Sequence, residues 1–294
     1  MIASVPRQAG LSATAERRSR FAAATALRKA AREAKRLSRT RIKPLPPRGP
    51  ERAYRDALRA EVRAIAGLIK TELFPVAKQE LSRRDLHTHG VRLDAPGDVA
   101  RAIGKIRIEL VRRETGARAA QAAAAAATRT ERHARKQVSR VIGIPVATSP
   151  AETARLRAFV SDNVARITSI EDDLLSEVEH LVQTSVATGR RWESLRGEIL
   201  ERFSVSESRA ELIAVDQTLR LNADLSQAKA QSLGVTKYVW STSRDERVRE
   251  SHRDLDGQEF SYNDPPVVDE KTGRRANPGG DFRCRCVALP QVDD

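Results

Sequence analysis

The chain has 294 residues and carries 53 Lys+Arg against 39 Asp+Glu, a net charge of +14. Hydrophobic residues reach 40% but aromatics only 4%; much of the apolar content is alanine, so a helical protein that leans on partners fits better than a dense globule. No run of about 18 apolar residues is present, so no membrane span is expected. The 2 cysteines are too few for a disulfide framework, which makes a reducing compartment the default.

The charge is unevenly placed. Residues 1–150 hold 33 basic and 13 acidic residues, and residues 151–294 hold 20 and 26. Within residues 1–48, 13 basic residues stand against only Glu16 and Glu33, a surplus of 11. No apolar stretch follows Arg17-Arg18, so a targeting peptide is not expected. Residues 1–50 read as a basic flexible tail closed by a linker of Pro44, Pro46, Pro47, Gly49 and Pro50. Arg17, Arg18, Arg20, Arg28, Lys29, Arg32, Lys35, Arg36, Arg39, Arg41 and Lys43 are the candidate contacts to a polyanion: double-stranded DNA or an acidic protein surface.

Residues 51–148 read as a helical region. Tyr54, Leu58, Val62, Ile65, Ile69 and Leu73 recur at helical spacing from Glu51 to a stop near Pro75. A short helix and a loop with His87 and His89 follow. Asp98 is placed as the cap of one further helix running to Val141–Pro145. Its Ala119–Ala127 strip either admits a close helix neighbour or serves as a low-complexity spacer.

Residues 149–234 continue helical. Ser149-Pro150-Ala151-Glu152 is a capping signature for a long amphipathic helix to Gly189, with a break expected near Thr168–Ser169. The triplet Glu171-Asp172-Asp173 reads as a solvated face. A short helix from Trp192 and another capped by Ser206 complete the run. In residues 235–294 the period changes to two around Tyr238 and Trp240, indicating a strand. A short helix within 244–255, an Asp256-Gly257 turn, a strand at 259–262, a Pro/Gly-rich loop over 263–281 and a last strand at 286–289 follow. The expected fold is mainly α, with elongated helical N-terminal and middle regions and a small α+β C-terminal module.

The segment from about 150 to 290 carries an ordered set of motifs. These are Gly189 with Trp192 and Leu195; Ser208-Arg209-Ala210-Glu211-Leu212-Ile213-Ala214; Gly234-Val235; and Trp240-Ser241-Thr242. Asp245, Arg247-Val248-Arg249, His252, Leu255-Asp256-Gly257, Pro278, Cys284-Arg285-Cys286 and Pro290 follow. In this order they resemble the phage Mu protein F-like, or phage head morphogenesis (minor capsid protein), family. The family's Arg-Thr-Glu is replaced by Val215-Asp216-Gln217, which shifts any acidic role there to Asp216. The resemblance implies a non-enzymatic minor head protein in the virion head near the portal. It would be made in the bacterial host cytoplasm, with the portal protein and major capsid or scaffold proteins as partners in procapsid assembly.

The C-terminal knot leaves two structural readings open. His252, Cys284 and Cys286, with Asp256 (or Asp245 or Asp254) as the fourth ligand, form a donor set suited to Zn²⁺. Alternatively Trp240, Asp245, Arg247, Arg249, His252, Gly257, Cys284, Arg285 and Cys286 form a folding clasp of buried packing and ion pairs. Two other functions compete with head assembly: DNA condensation by residues 1–48, and metal-dependent hydrolysis centred on His252. The latter lacks a clear nucleophile or a phosphate-binding loop.

Overall fold

A computed structural model describes residues 44–85 and 95–291. The eleven basic tail residues named above, and His87 and His89, lie outside the described residues. Among those described, the chain is mainly helical with a small antiparallel sheet at its C-terminal end.

Helix α1 spans Arg48–Leu68. It starts three residues before Glu51, with Gly49 and Pro50 inside its first turn, where proline's missing N–H costs nothing. The linker proper is therefore 44–47. It is pinned to a later helix: Gln137 accepts the Leu45 N–H at 3.3 Å, and the His133 ring lies 2.9 Å from the Leu45 carbonyl. The helix does not stop at Pro75. A π turn, Ile69–Leu73, carries it into α2, Phe74–Asp85. The Phe74 N–H reaches the Ile69 carbonyl, and Thr71 Oγ1 donates to Gly67 and Leu68. The widened turn thus accommodates the ring and missing donor of Pro75.

Helix α3, Ala95–Arg112, begins before Asp98, which sits in the first turn and pairs with Arg101 instead of capping. The single helix expected from Asp98 to residue 141 is two. Glu114 adopts a left-handed φ of 49°, and α4 runs Thr115–Ile142. Helix α5, Pro150–Thr188, shows the full Ser149/Glu152 capping box and is unbroken at Thr168–Ser169. There the Thr168 and Ser169 hydroxyls bond back to the Val164 and Arg166 carbonyls without disrupting the helix. Helix α6, Trp192–Ser232, joins the two helices expected there; Ser206 is buried in its interior and caps nothing. Its 41 residues span about 60 Å at the usual rise per residue, which makes the bundle long in one direction.

Helices from both sides of residue 148 share one core, from Tyr54 and Leu58 of α1 to Leu221 and Leu225 of α6. The alanine strip has become a contact: Ala119, Ala123, Ala126 and Ala127 are buried where α4 meets α5 and α6. Alanine's small side chain allows that close approach without voids.

The C-terminal module follows. β1, Lys237–Ser241, lies between β2, Glu259–Ser261, and β5, Val287–Gln291, all antiparallel. Tyr238 and Trp240 point inward onto a second core that includes Val138 and Ile142 of α4. The helix expected over 244–255 is only the single turn α7, Glu250–Arg253. The 263–281 loop contains a small hairpin, β3 at Val267–Asp269 and β4 at Arg274–Arg275.

Candidate functional site

The site is assembled by three short pieces. β1 supplies Trp240, α7 supplies His252, and the run leading into β5 supplies Cys284-Arg285-Cys286. Side chains at i and i+2 of an extended chain share a face. Cys284 and Cys286 accordingly turn inward together, while Arg285 turns away to bond Asp245 at 2.9 Å. The Trp240 ring lies edge-on to the His252 imidazole, 5.4 Å between centroids.

His252 Nδ1 faces both sulfurs, 3.5 Å from Cys284 Sγ and 3.7 Å from Cys286 Sγ. All three residues are buried, and both cysteines are free thiols. The Cys284 thiol is lowered to about 5, chiefly by the hydrogen bond from Cys286 and helped by His252, against the effect of burial. Cys286 is driven upward by that same neighbour and by burial. The backbone N–H of Gly279 adds a contact to Cys284 Sγ at 3.4 Å.

The far side of the imidazole meets Asp281, which no spacing argument had singled out. Asp281 Oδ2 lies 3.3 Å from His252 Nε2 and accepts from Arg249 at 2.6 Å. Its Oδ1 forms an ion pair with Arg274 at 2.7 Å and accepts from the Phe282 N–H at 2.7 Å. The carboxylate is only 2% exposed, so these donors are what make its burial tolerable. The sequence signal was the Pro278-Gly279-Gly280-Asp281 turn. Gly279 has φ 84°, and a Cβ there would stand 2.8 Å from Ala223 of α6, so only glycine lets the turn close against the helix.

The expected fourth ligand is not with the other three. Asp256 accepts the Thr242 N–H at 2.8 Å and the Arg244 guanidinium at 3.3 Å, and the ligand cluster comprises His252, Cys284 and Cys286 alone among the described residues. Asp256 fixes the turn in which Gly257, at φ 85°, donates to the Trp240 carbonyl. Asp245 bonds the Arg247 N–H and Arg285, closing the turn before α7. Arg249 reaches both Asp281 and the Phe282 carbonyl. Asp216 accepts the N–H of Arg283, which has φ 52°, and pairs with Arg220 at 2.9 Å. This links the long helix directly to the segment before Cys284.

These elements lie within the stretch that the comparisons identify. Residues 176–289 match the family described as Phage Mu protein F like protein. Over this segment the chain is similar to the Phage Mu F-like family. The segment takes in the end of α5, all of α6 and the knot from Trp240 to Cys286. A stretch of 146 residues, 50% of the chain, is 40% identical to an uncharacterized protein of Haemophilus influenzae. The match spans about a third of that relative's length, 31%. No solved structure matches the chain. No described helix is long and apolar enough to cross a membrane.

A cleft of about 620 Å³ borders the knot, walled by α1 through Glu51 and Arg55 as well as by the matched segment. His252, Cys284 and Cys286 lie at its wall, with Arg55, Arg247 and Arg283 around them.

Proposed function

We propose that the chain is a minor head protein of a tailed phage that joins the portal during procapsid assembly. The observation that carries this reading is the family match over residues 176–289, which includes the complete knot and its supporting helix. Long helices held on a rigid core suit a binding role, because they present wide surfaces that need no further ordering. The knot is fixed to the middle of α6 through Asp216 and Arg283 and serves as a clasp for the small module. The surplus of 11 positive charges in residues 1–48 is directed at packaged DNA or at an acidic face of the portal, and the major capsid or scaffold proteins complete the partner set.

Co-expression with the portal protein of the same phage, followed by capture on a tagged portal, tests the reading. The expected result is co-purification of the full chain. Failure to co-purify at low salt, with neither portal nor head proteins retained, contradicts it. The charge surplus favours one alternative, DNA condensation by the tail alone. That alternative requires a chain lacking residues 1–48 to lose every association, including the one with the portal.

A further inference from the structure

We propose that Cys284, Cys286 and His252 form a Zn²⁺ site with three protein ligands, whose fourth position opens into the arginine-lined cleft and takes water or a small anion. Three observations converge on this.

The first is the ligand geometry. Tetrahedral Zn²⁺, with Zn–S near 2.3 Å and Zn–N near 2.0 Å, holds its nitrogen and sulfur ligands about 3.6 Å apart. The observed Nδ1···Sγ separations are 3.5 and 3.7 Å. The two sulfurs and the nitrogen lie within 4.8 Å of one another. A Cys-x-Cys pair achieves this only because its extended backbone turns both sulfurs to one face.

The second is the support around the ligands. A metal-bound histidine normally offers its other ring nitrogen to a carboxylate, which fixes tautomer and ring direction. Asp281 stands 3.3 Å from His252 Nε2 and is itself held by Arg249 and Arg274; the two make no hydrogen bond in this geometry, but the carboxylate is within reach of that nitrogen. The Gly279 N–H on Cys284 Sγ is the kind of donor that stabilises a metal thiolate.

The third is the open side. Among the described residues no carboxylate lies within the three-ligand cluster, and Asp256 is engaged with Thr242 and Arg244. All three ligands border the cleft, where Arg55, Arg247, Arg249, Arg283 and Arg285 outnumber the carboxylates Glu51 and Glu211, neither of which lies within the three-ligand cluster. Structural zinc sites close with four protein ligands, whereas a three-ligand site leaves a position for solvent or an exogenous donor. The arginines favour an anionic oxygen ligand there, such as phosphate or a carboxylate.

Metal analysis of the full-length protein, purified without chelator, provides the test. The expected content is about one Zn²⁺ per chain, removable by a strong chelator. Reloading with Co²⁺ should give the intense d–d and thiolate charge-transfer bands of a four-coordinate site with two sulfurs. Added inorganic phosphate should shift those d–d bands. Asp281→Asn should weaken metal binding by roughly 10- to 100-fold. Asp256→Asn should leave content and spectrum unchanged. Because Cys284→Ser risks misfolding, the wild-type Co²⁺ spectrum carries the decision. No zinc and no Co²⁺ bands overturn the site. Bands indifferent to phosphate but altered by Asp256→Asn overturn the open position in favour of a closed four-ligand centre.

Discussion

At the residue scale, two buried charges in the bundle set testable expectations. Glu171, read from sequence as part of a solvated acidic face, is 5% exposed. Burial, reinforced by the nearby Glu61 carboxylate and opposed by the Thr115 hydroxyl, pushes its carboxyl up to about 7. The unfolded chain holds a Glu proton only below its ordinary value of 4.5. Between that value and about 7 the folded state binds the extra proton, so this residue's contribution to stability declines as pH rises through the interval. Glu171→Gln should match wild type near pH 5 and exceed it above pH 7 by about 1–3 kcal/mol in urea unfolding, the usual penalty for an unsatisfied buried polar group. A variant equally stable or weaker at high pH contradicts the assignment.

Lys229 is the second case. It is fully buried, with Nζ 3.1 Å from Glu152 and 3.2 Å from Glu131. Glu152 also closes the α5 capping box, so one ammonium joins α4, the start of α5 and the end of α6. Lys229→Ala leaves buried carboxylate uncompensated and should cost about 3–5 kcal/mol by equilibrium unfolding. A loss below about 1 kcal/mol would show that the pair is solvated in solution.

At the element scale, the alanine strip of α4 makes the sharpest claim. Ala123 is fully buried against the neighbouring helices. Ala123→Leu should overpack this contact and cost about 1–3 kcal/mol in thermal or urea unfolding, whereas a solvated spacer would tolerate it or gain from leucine's helix preference. Much of the helical framework was legible in the sequence because the 3–4 spacing of Tyr54, Leu58, Val62 and their counterparts in α5 is strong. The boundaries were less legible. Pro75 signalled a stop, yet a π turn absorbs it. Glu114 ends a helix by taking a left-handed conformation that no residue type announced. Ser206 was read as a cap, but its side chain is buried inside the continuous α6. In the knot, His252, Cys284 and Cys286 were visible as donor types. Asp281 was not, because its role depends on a glycine turn folding back against α6. Asp256 was assigned by proximity in sequence, and the chain instead uses it to bind the Thr242 amide.

At the scale of the whole molecule, a helical bundle and a small clasped module form a body with a net-basic N-terminal sequence. Residues 1–48 carry 13 of the 53 basic residues, so removing them should abolish most salt-sensitive DNA binding. In filter or gel-shift assays the full chain should lose affinity steeply between about 50 and 200 mM salt, and the truncated chain should bind weakly throughout. Retention of full DNA binding by the truncated chain would move that function to the bundle. Portal association should survive the truncation if the helices carry it. The measurement that reaches the central claim most directly is a cryo-electron microscopy map of assembled procapsids containing the chain. The expected result is helical density for the bundle at the portal vertex, absent from heads made without this protein. Heads that assemble identically without it, or that contain it only at sites away from the portal, would contradict the account.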